Sequence, residues 1–288
     1  MRISDLLGTN GPVFSFEFFP PKTEAGEQNL YQTIERLRAL RPTFVSVTYG
    51  AGGTTRDKTL DLVRRIKHEI GIEAMAHLTC VGADQAEIHA VLTRLAAAGI
   101  VNVLALRGDP PRDQTVFVRP ANGFGFAAEL VQFIRERGFG FCLGGACYPE
   151  GHVECRDVAQ DLLYLKRKVD AGLEFVITQL FFDNADYFAF VERAHAQGVR
   201  VPIIPGIMPI TNLSQIERFT AMCGARIPAA LRSRLEHARH DDDAVRAIGI
   251  EHATAQCRGL LERGAPGIHF YTLNQSTATR AIFERLRS

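Results

Sequence analysis

At 288 residues, with 46% hydrophobic and 23% charged side chains, the chain has the make-up of a globular protein with a large core, which excludes a disordered or fibrous one. Lys and Arg number 33 against 32 Asp and Glu, a net charge of +1, so no broad positive field is available to hold nucleic acid. No apolar run approaches a membrane span, no signal-like stretch opens the N-terminus, and six scattered cysteines make no disulfide scaffold. A cytoplasmic protein is expected, with residues 1–288 forming one domain.

Apolar, β-rich runs recur about every thirty residues, the length of a strand plus a crossover helix. They begin at Phe14 (FSFEFF), Phe44 (FVSVTYG), Ala74 (AMAHLTC), Asn102 (NVLALRGD), Phe141 (FCLGGACYP), Phe175 (FVITQLFF), Pro202 (PIIPGIM) and Gly267 (GIHFYTLN), eight in all. Between them apolar residues fall at helical spacing, as in Leu30, Ile34, Leu37 and Leu40, or Leu60, Val63, Ile66 and Ile70. Asp57 and Asp84 stand near helix starts, and Gly71, Gly99, Gly138, Gly172 and Gly198 just past helix ends. Eight repeats of strand and helix predict a (β/α)8 TIM barrel, with extra helices between the seventh and eighth strands over Asn212 to Cys223, Pro228 to His237 and Asp242 to Arg263.

A doubly wound sheet would want a glycine-rich phosphate turn after the first strand, where this chain reads PPKTEAGE. The GxGxxA look-alike at Gly123 is separated from the fourth strand and reads as a helix N-terminus. His237, His240 and Asp241 to Asp243 read as a helix start with favourable carboxylates rather than a metal site.

Barrel enzymes take their chemistry from the C-terminal ends of the strands. Polar residues closing the runs here are Glu17, Thr48, His77, Asp109, Tyr148 with His152, Gln179 and Asn274. Glu17, set in FSFEFFPP, is expected to be buried among aromatics with its carboxyl pushed up toward neutral, able to donate a proton. A structural carboxylate bonded to a neighbouring strand is the alternative. Arg107-Gly108-Asp109 fits either a ligand-hugging turn or an ion-paired Asp turn. His77 and Gln179 fit either a site or a satisfied core. Tyr49-Gly-Ala-Gly-Gly-Thr-Thr suits an anionic or planar ligand, and Asp161, Tyr164 and Lys168 share a helix face that by default reads as a solvated stripe.

Taken together, FEFFPPKT, VSVTYGAGG, HLTC, ALRGDPP, YPEGH, DLLYLKRKVDAG, ITQLFFD, IIPGIMP and HFYTLN, nine motifs in order from Phe16 to Asn274, resemble 5,10-methylenetetrahydrofolate reductase of the bacterial type, the catalytic barrel only. The resemblance implies non-covalent FAD, NADH or NADPH as reductant, and ping-pong reduction of 5,10-methylenetetrahydrofolate to 5-methyltetrahydrofolate for methionine biosynthesis. It makes Glu17 the acid that protonates folate N10, and Asp109 the charge that steadies the resulting cation. Thr48, Tyr49, Ala51, His77, Arg107, Gly108, Asp109, Ala127, Tyr148, His152, Asp161, Tyr164, Arg167 and Lys168 fall at flavin-site positions. Arg167 and Lys168 would face the pyrophosphate and Asp161 the ribityl hydroxyls. Gln179, Tyr187, Gln215, Phe219 and Gln275 fall at substrate positions. Gln275 stands where the family usually has arginine, and an amide cannot pair with the folate tail as a guanidinium does. The expected partners are small molecules and a second copy of the chain, with neither nucleic acid nor membrane.

Two other classes fit a barrel of this kind. An aldolase or isomerase would favour a Schiff-base lysine or a phosphate loop after the last two strands, and neither is evident. A flavin- or folate-binding protein without turnover would not need Glu17 and Asp109.

Overall fold

The computed structural model describes every residue except 10, 50–55, 111–115, 156 and 288. Its strands are β1 Val13–Phe18, β2 Phe44–Val47, β3 Ala74–Thr79, β4 Asn102–Leu106, β5 Cys142–Cys147, β6 Phe175–Thr178, β7 Ile203–Ile204, β8 Gly206–Ile207 and β9 Gly267–Tyr271. Every pairing is parallel, in the order β7-β6-β5-β4-β3-β2-β1-β9-β8. Because only Pro205 separates β7 from β8, the two ends of that order meet in the chain and the barrel closes.

The seventh stave is therefore divided where one run was expected. Proline has no N–H to give to a ladder. The carbonyl of Pro205 instead accepts from His269 N at 2.9 Å, while that of Pro202 accepts from Val176 N at 2.9 Å. Gly206 follows because Tyr271 crosses there: a Cβ would lie 2.4 Å from Thr178 O and 2.7 Å from the Tyr271 ring.

Helices α1 Glu24–Arg38, α2 Arg56–Arg65, α3 Gln85–Ala97, α4 Ala127–Glu136, α5 Val158–Asp170, α6 Asn184–Ala196 and α10 Thr277–Arg287 cover the barrel, and α7 Leu213–Cys223, α8 Ala229–His237 and α9 Asp242–Glu262 fill the expected insertion. Their starts obey the predicted chemistry. Asp84 caps α3 and trades hydrogen bonds with Glu87. Glu129 takes the Gly125 N–H at 2.7 Å at the start of α4, so the GxGxxA stretch is a helix entry, and Asp241 caps α9. The helix ending at Ile70 closes on a π-helical turn, Ile66–Ile70, with Gly71 at φ 80° beyond it. Among the described residues no helix is long and apolar enough to cross a membrane.

Two apolar layers set the site. Outward-facing strand residues such as Phe16, Phe18, Val45 and Phe270 pack against Leu30, Ile34, Leu37 and Phe283 of the helices. Inside the barrel, Val13, Phe44, Met75, Leu104, Phe175 and Ile204 fill the lower half, and Ile3 from the N-terminal segment stoppers it, its N–H held by Asn102 Oδ1 at 2.9 Å. The upper half, at the C-terminal strand ends, carries the polar groups.

Candidate active site at the barrel mouth

Strand alternation decides what surrounds Glu17. Phe14 and Phe16 point out to the helices, with Phe14 4.8 Å and Phe16 6.4 Å from the Phe283 ring. Ser15 and Glu17 point in. The aromatic surroundings expected from FSFEFF are on the other face of the sheet, and Glu17 meets two imidazoles instead: His269 Nε2 at 3.3 Å and His77 Nε2 at 3.4 Å from Oε2.

The electrostatics change accordingly. Burial pushes the Glu17 carboxyl up, but the hydrogen bond from His269 and the nearby rings outweigh it, and the group is held below the usual carboxylate range. This reverses the raised value expected from sequence. Burial drives His77 down to about 4, so it is neutral at pH 7, and of the influences that lower Glu17 the His269 bond is the largest. His269 is wholly buried, and its other nitrogen, Nδ1, lies 2.8 Å from Ser15 Oγ. A carboxylate only accepts. With Glu17 ionised, Nε2 donates to Glu17 and Nδ1 faces the Ser15 hydroxyl.

Glu17 opens into a cavity of about 480 Å³ lined also by Thr48, Tyr49, His77, Thr79, Gly108, Asp109, Gln179, Phe219 and Tyr271. By strict geometry the buried atoms Ser46 Oγ, His77 Nε2 and Thr79 Oγ1 have no hydrogen-bond partner, but the first two face Glu17 and help to lower its pKa, which leaves Thr79 Oγ1 unmet on the cavity wall. An unmet buried hydroxyl is unusual and ready to be met by a ligand. Gly108 permits the turn above them, with φ 88°, and a Cβ there would come within 2.9 Å of Thr79 and Val81. Asp109 stands exposed on the rim.

Leu106, Arg107, Ala146, Tyr148 and His152 also line a second cavity of about 560 Å³, so the two share a wall. The second runs along α5 and the start of α4, between Phe126, Ala127, Asp161, Tyr164, Arg167 and Lys168. Phe126 and Tyr164 are stacked and exposed, with the Arg167 guanidinium 5.6 Å from the Tyr164 ring. Lys168 donates to Ala146 O at 2.6 Å; burial lowers its pKa, and burial raises that of Asp161. Arg107 is gripped by both oxygens of Glu154 at 2.6 and 2.7 Å, and His152 packs edge-on to Tyr148.

Most residues singled out in the sequence thus converge on these cavities. Ala51 lies outside the described residues. Tyr187 does not reach either cavity: it is buried, stacked on Phe181, and its hydroxyl donates to Ile203 O at 2.8 Å. Gln215, near the start of α7, and exposed Gln275 are also not among the lining residues. Asn274 is a brace, both accepting from and donating to the Phe19 backbone at 3.0 and 2.8 Å. Sequence reasoning missed His269, Ser46 and Thr79, all inward by strand alternation.

The arrangement offers an ionised carboxylate in a deep slot beside a groove with three cations, Arg107, Arg167 and Lys168, and a stacked aromatic pair. The profile of the family described as methylenetetrahydrofolate reductase matches residues 2–287. The chain belongs to the methylenetetrahydrofolate reductase family. The 5,10-methylenetetrahydrofolate reductase of Salmonella typhimurium is 40% identical, over 94% of this chain and 90% of its own. Methylenetetrahydrofolate reductase (NADH) 1 of Arabidopsis thaliana is 43% identical over 99% of this chain, and the chain spans about half (50%) of that plant relative. Among solved structures, a Clostridium thermocellum protein that binds two copies of 5-methyl-5,6,7,8-tetrahydrofolic acid superposes with a TM-score of 0.65 at 14% identity, covering 99% of this chain and 98% of that one. Oxaloacetate acetylhydrolase with oxalate reaches 0.51 at 12% identity, covering 97% and 81%. At such identities these two likenesses speak for the barrel fold alone.

Proposed function

We propose that the chain reduces 5,10-methylenetetrahydrofolate to 5-methyltetrahydrofolate, using FAD and NADH or NADPH in ping-pong order, as a step toward methionine. The observation that carries this reading is Glu17: an inward carboxyl at the barrel mouth, in contact with His269 and lining a cavity beside the unmet Thr79 hydroxyl. FAD suits the adjoining groove. Arg167 and Lys168 would hold its pyrophosphate, Asp161 its ribityl hydroxyls, and the exposed Phe126 and Tyr164 offer flat faces to a base. Bound FAD would supply the two-electron hydride chemistry.

The protein's own part is proton and charge placement. Glu17 is an anion in the open site, so it must take up a proton as the pterin enters and excludes water, which favours the neutral acid. It then gives that proton to folate N10, opening the five-membered ring to a cation, and the His269 N–H steadies the carboxylate that remains. Asp109 is exposed until a ligand covers it; once covered, its charge opposes the cation across a medium poor in water. Gln179, whose Oε1 accepts from Leu180 N at 2.9 Å, keeps its amide N–H groups for the substrate.

Lys168 is the one lysine lining either cavity among the described residues, and Ala146 O holds it, which speaks against a Schiff-base barrel enzyme. The test is the purified protein: a yellow colour bleached by NADH or NADPH and restored by methylenetetrahydrofolate. A colourless protein, or flavin that folate does not reoxidise, would end the proposal.

A further inference from the structure

The cavity that Glu17 lines is also walled by Phe219, Met222 and Cys223 of α7 and Val153 of the loop after β5. A pair of residues outside both cavities ties these two segments together. Glu150, in that same loop, is only 9% exposed, and its carboxylate accepts from Arg226 Nε at 2.8 Å and from Arg226 backbone N at 3.2 and 3.3 Å. The same guanidinium donates from Nη2 to Asp186 Oδ1 on α6 at 3.2 Å. Between the pair and α7 stands Gly224, with φ 77°, where a Cβ would come within 2.9 Å of Val153 Cγ1.

We propose that Glu150 and Arg226 are positioning residues, a latch that sets where α7 stands over the cavity and thereby the affinity for whatever occupies it. The inference rests on the proposed reaction, in which a nicotinamide and a pterin take turns in one slot. Ligands of different shape need a wall that yields and returns. The latch has the asymmetry for this. Arg226 is 75% exposed and can leave into water, whereas Glu150 is nearly buried and has no other charged partner among the described residues, so its desolvation draws the guanidinium back. Gly224, at the end of α7, is the place where the chain can bend with least steric penalty.

Arg226→Ala tests this in the full-length protein as purified; it leaves Glu150 without its charged partner, so the variant that strands no charge, Glu150→Gln, is measured beside it. Hydrogen exchange over residues 213–223 should quicken about tenfold while the barrel strands stay unchanged. KM for both substrates should rise about five- to tenfold with kcat within about twofold, the pattern of lost uniform binding. Glu150→Gln, which keeps the shape and removes the charge, should move both readouts the same way. Unchanged exchange in α7, or faster exchange with both KM values unchanged, would overturn the latch. Wild-type protein without folate-dependent turnover would defeat the proposed reaction, and the exchange result would still decide the tie between Arg226 and α7.

Discussion

Replacing His269 with alanine removes a ring that is wholly buried and bonded at both nitrogens, to Ser15 Oγ at 2.8 Å and to Glu17 Oε2 at 3.3 Å. Each buried group left without its partner costs about 1–3 kcal/mol, so the two together cost on the order of 2–6 kcal/mol, a large share of the stability of any domain. Urea unfolding at pH 7 should show that loss as a lower midpoint with an unchanged slope. The functional consequence has a definite sign. The His269 hydrogen bond is the chief influence lowering the Glu17 carboxyl, so its removal lets burial prevail and the pKa rises. A reaction that needs protonated Glu17 fades above that pKa, so the alkaline limb of the folate half-reaction should move to higher pH. Flavin reduction by nicotinamide should keep its pH profile. If the limb stays in place, or moves to lower pH, the reasoning about this hydrogen bond is wrong.

Other consequences follow from the same geometry. Gly108→Ala should cost about 2–4 kcal/mol, from a left-handed residue and a Cβ jammed against Thr79 and Val81, and should weaken flavin retention measured by gel filtration. Tyr187→Phe should cost about 1–2 kcal/mol by leaving the Ile203 carbonyl short of a donor, with KM for both substrates unchanged; a rise in KM would restore Tyr187 to the site. His77 is neutral in the fold down to about 4, whereas the unfolded ring takes its proton near 6.5. The unfolded state therefore binds more protons between those values, and stability falls as pH drops through them by on the order of 3 kcal/mol. His77→Gln should flatten that part of the stability profile, and an unflattened curve would mean that burial does not lower the ring's pKa in the fold.

The barrel was legible because each stave is an apolar run and each crossover a 3.6-residue pattern, signals that live in neighbouring residues. The groove along α5 was legible only through the resemblance, since Asp161, Tyr164 and Lys168 on one helix face read equally as a solvated stripe. What the line of letters hid was the third dimension. PIIPGIM reads as one strand until Pro205, lacking a donor, divides its pairing between β6 and β9. FSFEFF places phenylalanines beside Glu17 in sequence, but the pleat turns them away from it. The partners that set its charge come from afar: His269 is 252 positions from Glu17 and 254 from Ser15. The signal for His269 existed, because Gly267, His269 and Tyr271 alternate inward just as Val13, Ser15 and Glu17 do, but it has meaning only once β1 and β9 are known to be neighbours. Tyr187, Gln215 and Gln275 were drawn from resemblance alone, and the fold brings none of them to either cavity.

The measurement that bears most directly on the account is the pair of half-reactions of Glu17→Gln, followed by stopped-flow absorbance of the flavin. The amide keeps the size and can accept from His269 but has no acidic proton to give. Flavin reduction by NADH or NADPH should stay within about threefold of wild type, while reoxidation by methylenetetrahydrofolate should slow by about 10²–10⁴-fold, the usual worth of a placed general acid. Equal slowing of both half-reactions, or unimpaired reoxidation, would contradict the role given to this carboxyl.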